Sequence, residues 1–303
     1  MKLDKESLIK LSIVAKLAAI KAGTMIESYV SSDGPRETLT VETKDTGSSL
    51  ASQVVTEVDL KSERIILELI NPTLKEFDLA LLSEETVDDQ SRFEKDYFWC
   101  IDPLDGTLAF TESKAGFSVS IALVSRDGIP QIGVVYDPST QTMYSAVKGD
   151  GVFINDQPLL LVENTLNKDN KELTVIAERN LIQSQEFGLI INQLKISAKY
   201  YAWSEVKIIE GGGAVINACQ VVENSPAVYL KLPKSQQGGG SAWDFAATSC
   251  FFNEIASSVS DVFGHPLDLN KKGDTFMNHC GVVYVSDNKF SAKMIDIIQG
   301  ILK

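Results

Sequence analysis

Trp99-Cys100-Ile101-Asp102-Pro103-Leu104-Asp105-Gly106-Thr107 carries an apolar run straight into two aspartates three residues apart, followed by Gly-Thr. Phe98 to Ile101 reads as a strand, so both carboxylates stand at a strand end, where a rigid scaffold fixes them. Pro103 stiffens the turn, and Gly106 lets the backbone approach a ligand closely. A helix opening at Gly106 would add free amides, and hence an anion site, beside the two carboxylates. Carboxylates next to an anion pocket make chemical sense only with cations between them. Hard oxygen ligands with room for water are what Mg²⁺ takes.

Downstream of this stretch, strands are predicted at 117–124, 132–136, 143–147 and 152–154, with turns at Asp127-Gly128, Asp137-Pro138 and Gly149-Asp150-Gly151. Upstream, Leu8, Leu11, Ala15, Ala18 and Ala22 recur at helical spacing and predict one long helix over 7–30. Ser31 to Gly47 is polar and reads as a loop or hairpin. A second helix is expected over 60–69, with Asp59 at its N-cap and Pro72 just beyond its end. A short strand over 79–82 runs into Ser83-Glu84-Glu85. In the rest of the chain, strands are expected at 173–177, 227–230 and 281–285, and helices at 185–194, 214–222 and after Trp243. The polar stretch Asn164 to Lys171 is the expected boundary between two halves, 1–165 and 166–303. The class is α/β or α+β.

Composition narrows the partners. Lys and Arg number 28 against 41 Asp and Glu, a net charge of −13. That disfavours a nucleic-acid polymer, which needs clustered positive charge, and an anionic membrane surface. The apolar N-terminal segment is interrupted by Lys10, Lys16 and Lys21, so it reads as an amphipathic helix rather than a signal peptide. Cys100, Cys219, Cys250 and Cys280 are far apart with no C-x-x-C pair, which fits reduced thiols and a cytoplasmic setting. A homodimer is compatible with the chain. The two histidines, His265 and His279, lie in no metal or triad motif.

Asp105 to Leu108, Asp-Gly-Thr-Leu, also ends the signature of haloacid dehalogenase-like phosphatases. Those enzymes form an aspartyl-phosphate on an Asp two residues before the second Asp. Here that position is Pro103, which has no nucleophile. A different pattern runs through the chain: Val55-Thr56-Glu57-Val58-Asp59, Ser83-Glu84-Glu85, Asp102 to Thr107, Gly133-Val134-Val135-Tyr136, Gly149-Asp150-Gly151 and Ala242-Trp243-Asp244-Phe245-Ala246-Ala247. In this order the segments resemble the inositol monophosphatase superfamily of Mg²⁺-dependent, lithium-sensitive phosphatases. The resemblance implies a layered αβαβα sandwich of the inositol monophosphatase and fructose-1,6-bisphosphatase type.

It also implies roles. Glu84, Asp102 and the carbonyl of Leu104 would hold one Mg²⁺. Asp102, Asp105 and Asp244 would hold a second, and Glu84 would help hold a third. Thr107 and Asp59 would orient the attacking water, with Glu85 supporting that shell. Amides at Gly106 and Thr107 would bind the phosphate. Two metals can clamp the attacking and leaving oxygens in line and neutralise a phosphate dianion, so no arginine cluster is needed. Lys44 is the counterpart of a lysine common in the family, but its spacing to Asp59 is stretched.

The substrate would be a small phosphorylated metabolite. The inositol-phosphate branch places an acidic residue seven before the second-metal Asp, and here that residue is Gln237. The segments from Gly133 to Tyr136 and from Met143 to Ala146 look more like the bacterial 3′(2′),5′-bisphosphate nucleotidases. Gly212 and Gly213, within Gly211-Gly212-Gly213, would let backbone approach a ribose, a base or a second phosphate. The expectation is therefore a nucleotidase acting on 3′-phosphoadenosine 5′-phosphate. The alternatives are an inositol monophosphatase or another sugar-phosphate phosphatase and, more remotely, a non-catalytic metal-binding regulatory protein.

Overall fold

The computed structural model describes residues 2–30, 41–43, 54–159, 172–255 and 257–303, with backbone alone for 41–43 and 54–56. The polar segment from Ser31, Lys44 and the expected boundary at 165/166 lie outside the described residues.

Helix α1 (Lys5–Val30) starts where Asp4 Oδ1 accepts the Ser7 amide at 2.9 Å. Its buried face is Leu8, Leu11, Ala15, Ala18, Ala22 and Ile26. After the antiparallel pair β1 (Val41–Thr43) and β2 (Val54–Thr56) comes helix α2 (Glu57–Glu76). Two sequence expectations fail in α2. Asp59 lies inside the first turn rather than at the N-cap, and Pro72 lies within the helix rather than past its end. Proline normally stops a helix by removing a donor and crowding the preceding turn. Here the last turn is held from outside: Trp99 Nε1 donates to Thr73 Oγ1 at 2.9 Å, and Thr73 Oγ1 donates to the Ile70 carbonyl at 2.6 Å.

A seven-stranded sheet follows. It comprises β3 (Ala80–Ser83), β4 (Tyr97–Asp105), β5 (Ser118–Ser125), β6 (Pro130–Asp137), β7 (Thr142–Val147), β8 (Gly151–Ile154) and β9 (Gln157–Pro158), in that spatial order. β3 pairs parallel with β4, and the rest is an antiparallel meander. Helix α3 (Thr107–Thr111) directly follows β4.

The second sheet has the order β11-β10-β12-β14-β13, built from β10 (Glu172–Ala177), β11 (Glu205–Glu210), β12 (Ala227–Lys231), β13 (Ser258–Ser260) and β14 (Val282–Val285). β11 and β12 run parallel to β10 on its two sides. The helices are α4 (Arg179–Ile182), α5 (Gln185–Ala198), α6 (Ala214–Glu223), α7 (Ala242–Glu254) and α8 (Asn288–Leu302).

Three apolar cores define five layers. α1 and α2 cover one face of the first sheet through Leu11, Ile66, Trp99 and Ile121. α6 and α7 fill the space between the sheets, where Val215, Phe245 and Phe251 meet Phe98, Val135 and Tyr229. α5 and α8 cover the outer face of the second sheet through Ile190, Leu194, Phe290 and Met294. The order is helix, sheet, helix, sheet, helix, the expected αβαβα sandwich.

The middle layer sits tight against the first sheet. A methyl group added at Gly133 on β6 would lie 2.2 Å from the Ala247 carbonyl of α7. Gly133→Ala must therefore push backbone from backbone. The expected cost is about 1–3 kcal/mol, read as a lowered midpoint in denaturant unfolding. An unchanged midpoint would mean that the helix can retreat freely.

Candidate active site

The end of β4 is fully buried and bulged. Its pairing with β5 is regular to Asp102↔Ser120, then resumes at Asp105↔Ser118. A bulge re-aims side chains, and here it points both aspartates to one place. Pro103 sits within the irregularity, where a missing amide donor costs no ladder bond. The turn into α3 is made by Gly106 at φ +79, a left-handed conformation that favours glycine. Its missing side chain also leaves room for Gly116, whose carbonyl would be 2.5 Å from a methyl group there.

Asp244 arrives from the N-terminus of α7. Its Oδ2 accepts the Ser241 amide at 2.6 Å in a reciprocal capping box. Asp102, Asp105 and Asp244 each offer an oxygen, all within 4.8 Å of one another. Every one of the three is anchored by backbone N–H groups. Asp102 Oδ1 accepts from Leu104 at 3.1 Å, and Asp105 accepts from Ala214 at 3.1 Å and Val215 at 2.9 Å, in the first turn of α6.

Electrostatics follow from this crowding. Burial, then the charges of Glu84, Asp105 and Asp244, push the Asp102 carboxyl well above the ordinary range. Burial and Asp244 push Asp105 up to about 8, against the pull of the Val215 amide. Burial raises Asp244 as well, opposed by Lys231 and the Ser241 amide. Three hard-oxygen donors that repel one another in a buried place fit a divalent cation, which would remove the repulsion.

The other predicted residues gather around this centre to different degrees. Glu84 follows β3 and donates its amide to the Ile101 carbonyl at 3.2 Å, beside Asp102. Glu85 is next to it and half-buried. Asp59 on α2 is buried, and Thr107 Oγ1 stands 3.1 Å from both Asp59 Oδ1 and the Leu104 carbonyl. Gly213 donates its amide to the Gly116 carbonyl at 2.6 Å, and Gly212 lies against Gly116. Gln237 is exposed and makes no hydrogen bond among the described residues.

Sequence reasoning missed a polar group on the far wall. Glu178 Oε1 accepts from Tyr229 Oη at 2.8 Å and from Lys231 Nζ at 2.5 Å. Lys231 ends β12, and its ammonium stands 6.0 Å from the Phe245 ring, next to Asp244. The signal for it was positional: Glu178 and Lys231 fall at the carboxyl ends of neighbouring parallel strands.

Comparison with known proteins adds the following. The inositol monophosphatase family matches over residues 7–295. The Nus factor SuhB of Pasteurella multocida is 31% identical over 83% of this chain and 85% of its own length. The inositol-1-monophosphatase of Bacillus subtilis is 24% identical, covering 76% and 79%. SaIMPase-II, inositol monophosphatase II of Staphylococcus aureus, shares the fold. Its inositol monophosphate-bound structure superposes with a TM-score of 0.67 at 21% identity over 95% of this chain and 94% of that one. Its 2′AMP-bound structure gives 0.68 at 20% identity over 97% of each.

A carboxyl whose pKa is raised by folding keeps a proton that the unfolded chain has released. Each such group therefore lowers stability as pH climbs from its ordinary 3.8 towards its folded value, about 8 for Asp105. The melting temperature of chelator-treated protein should fall between about pH 5 and pH 8. Asp102→Asn should flatten that slope and raise the melting temperature at the alkaline end, because the amide oxygen keeps the Leu104 bond while its NH₂ faces acceptors. Asp105→Asn should not match it, since an NH₂ would face a backbone N–H. A slope unchanged by Asp102→Asn would show that the carboxylates do not repel.

Proposed function

Because the chain belongs to the inositol monophosphatase family, we propose that it is a Mg²⁺-dependent phosphomonoesterase whose preferred substrate is the 3′-phosphate of 3′-phosphoadenosine 5′-phosphate. The observation that carries the phosphatase reading is the Asp102, Asp105 and Asp244 cluster beside the Thr107–Asp59 contact. Asp102, Asp105 and Asp244, with Glu84 and the Leu104 carbonyl, would hold the metal. Bound Mg²⁺ would supply charge against the phosphate dianion and acidify water in the site.

The chain's own residues then do the following. Thr107 Oγ1 accepts a hydrogen bond from the attacking water and donates its own proton towards Asp59 Oδ1. Asp59, fixed on α2 and buried, holds that proton. The amides of Gly106 and Thr107 face the phosphate at the turn into α3. Glu85 supports the shell around Glu84. Gly212, Gly213 and Gln237 remain our assignments for the side of the site that meets the leaving group.

The choice of a bisphosphorylated nucleoside is supported by Lys234. Burial, then the nearby Lys231 ammonium, holds the Lys234 ammonium below its ordinary pKa, with Glu178 opposing them. Lys231 is already paired with Glu178, so Lys234 is the ammonium on this wall that we assign to a second phosphate. Inositol monophosphate is the second reading, favoured by the Glu178 carboxylate, which is a natural acceptor for a polyol hydroxyl. The Pasteurella relative carries the name of a Nus factor rather than of an enzyme. For this chain, the retained Glu84, Asp102, Asp105, Thr107 and Asp244 favour catalysis over a purely regulatory role.

Phosphate release from a panel of 3′-phosphoadenosine 5′-phosphate, inositol 1-phosphate and fructose 1,6-bisphosphate tests this reading. The expected order places the bisphosphate nucleotide first, with activity abolished by chelator, restored by Mg²⁺ and inhibited by Li⁺. Full turnover in excess chelator would exclude the mechanism.

Thr107→Ala keeps every carboxylate and the backbone amides, so substrate should still bind while the chemical step slows. The expected loss in kcat is about 10²–10⁴-fold with little change in KM. Asp59→Asn should behave alike, and the double variant should be little worse than either single, because the pair acts as one unit. Losses that multiply would rule out a shared relay.

A further inference from the structure

We propose that Glu178 is a specificity residue whose carboxylate accepts a hydrogen bond from the hydroxyl adjacent to the phosphate ester on the leaving group. This rests on the phosphatase reading above.

The topology puts Glu178 where a leaving group must go. From β10 the chain crosses to β11 on one side, then returns to β12 on the other. Where strand order reverses in this way, a crevice opens at the carboxyl ends of the parallel strands. Three segments meet there: Glu178 directly after β10, Gly211 directly after β11, and Lys231 at the end of β12. The Gly211 amide donates to the Ala177 carbonyl at 2.9 Å, which seats Glu178 beside the glycine turn. The same turn leads into Ala214 and Val215, whose amides hold Asp105. A phosphate at the three aspartates would therefore direct its ester oxygen and the attached ring towards this crevice.

The side chain is set up to receive a donor. Glu178 is the N-cap residue of α4, yet its carboxylate caps nothing in that helix. It turns instead to Tyr229 and Lys231, and both of those donors converge on Oε1. Among the described residues Oε2 accepts no hydrogen bond. A carboxylate offers acceptors only, so its complement on a ligand is a hydroxyl or an ammonium. A phosphate ester on ribose or on an inositol ring carries a hydroxyl on the neighbouring carbon. Lys231 neutralises the carboxylate, so the pair adds no net repulsion against a phosphate dianion. The Glu178 side chain is 32% exposed and that of Lys231 15%. Ligand can thus reach the acceptor, while the ammonium that orients it stays covered.

The test compares matched substrates with and without the hydroxyl: adenosine 3′-monophosphate against its 2′-deoxy analogue, and inositol 1-phosphate against its 2-deoxy analogue. A hydrogen bond to a charged acceptor predicts a kcat/KM ratio of about 10–100 in favour of the hydroxylated member for the wild type. Glu178→Gln trades a charged acceptor for a neutral one and should cut the ratio about tenfold. Glu178→Leu combined with Lys231→Met strands no ammonium and should bring the ratio close to one, whether or not the single variant folds. A purely structural Glu178–Lys231 pair would lower the melting temperature and leave the ratio alone, and that result would overturn the proposal. So would a wild type that treats both members of each pair alike while hydrolysing them. A wild type that hydrolyses none of the four and releases no phosphate from 3′-phosphoadenosine 5′-phosphate would instead sink the phosphatase reading, and this assignment with it.

Discussion

Two buried carboxylates and a half-buried third, within a few ångströms of one another, constrain everything around them. Unpaired burial of charge is costly, and like charges in the same place compound the cost. The fold answers with backbone N–H groups. Asp105 is held by the first turn of α6, and Asp244 caps the first turn of α7. Both middle-layer helices therefore aim their N-termini at the cluster, and the positive end of a helix dipole lowers the energy of an anion placed there. The αβαβα order makes this arrangement available. Only the helix layer between the sheets can present helix ends to the edge of β4 while its flanks remain apolar against both sheets.

The same geometry ties the first sheet's strand end to the second sheet's crevice. Gly213 bonds to Gly116, α6 holds Asp105, and Arg179 makes a two-pronged contact with Glu112 just past α3, at 3.1 and 3.0 Å. Arg179 also reaches Glu210 at the end of β11. The adjacent residues Glu178 and Arg179 thus face opposite ways. One grips β12 on the inner wall, and the other grips the α3 turn across the opening. A ligand that bridges the aspartates and the crevice would lie between elements already fixed to each other, so little ordering entropy remains to oppose its binding.

The parts legible in the sequence were those whose local chemistry is extreme. An apolar run ending in Asp-Pro-Leu-Asp-Gly-Thr announces a strand end with a turn and two acceptors, and that is where β4 places them. The meander from β5 to β8 follows from short apolar runs punctuated by Asp-Gly, Asp-Pro and Gly-Asp-Gly turns. The Pro72 expectation failed because the Trp99 bond to Thr73 comes from another element, and no local rule contains it. β11 was missed because Glu205-Val206-Lys207-Ile208-Ile209-Glu210 is an exposed edge strand with a weak apolar pattern. α8 should have been found, since Phe290, Met294, Ile297 and Ile298 repeat at helical spacing. The Glu178–Lys231 pair could not be read locally, because 53 residues separate its members and only the parallel pairing of β10 with β12 brings them together.

An acidic chain can still be built around an anionic substrate, because net charge and local field are different quantities. At physiological ionic strength, exposed charges are screened over about 8 Å, so most of the −13 is not felt inside a cleft. What counts is the set of groups within that distance: aspartates that ask for divalent cations, helix N-termini and Lys234. The carboxylates repel a phosphate while they stand alone and recruit the charge that attracts it once a cation is held. The covered Lys231 does the complementary task on the far wall, cancelling Glu178 so that an acceptor can face the leaving group without adding to the repulsion. By this proposal, attraction of the phosphate falls to the wall of the three aspartates and recognition of the group it leaves to the wall of Glu178.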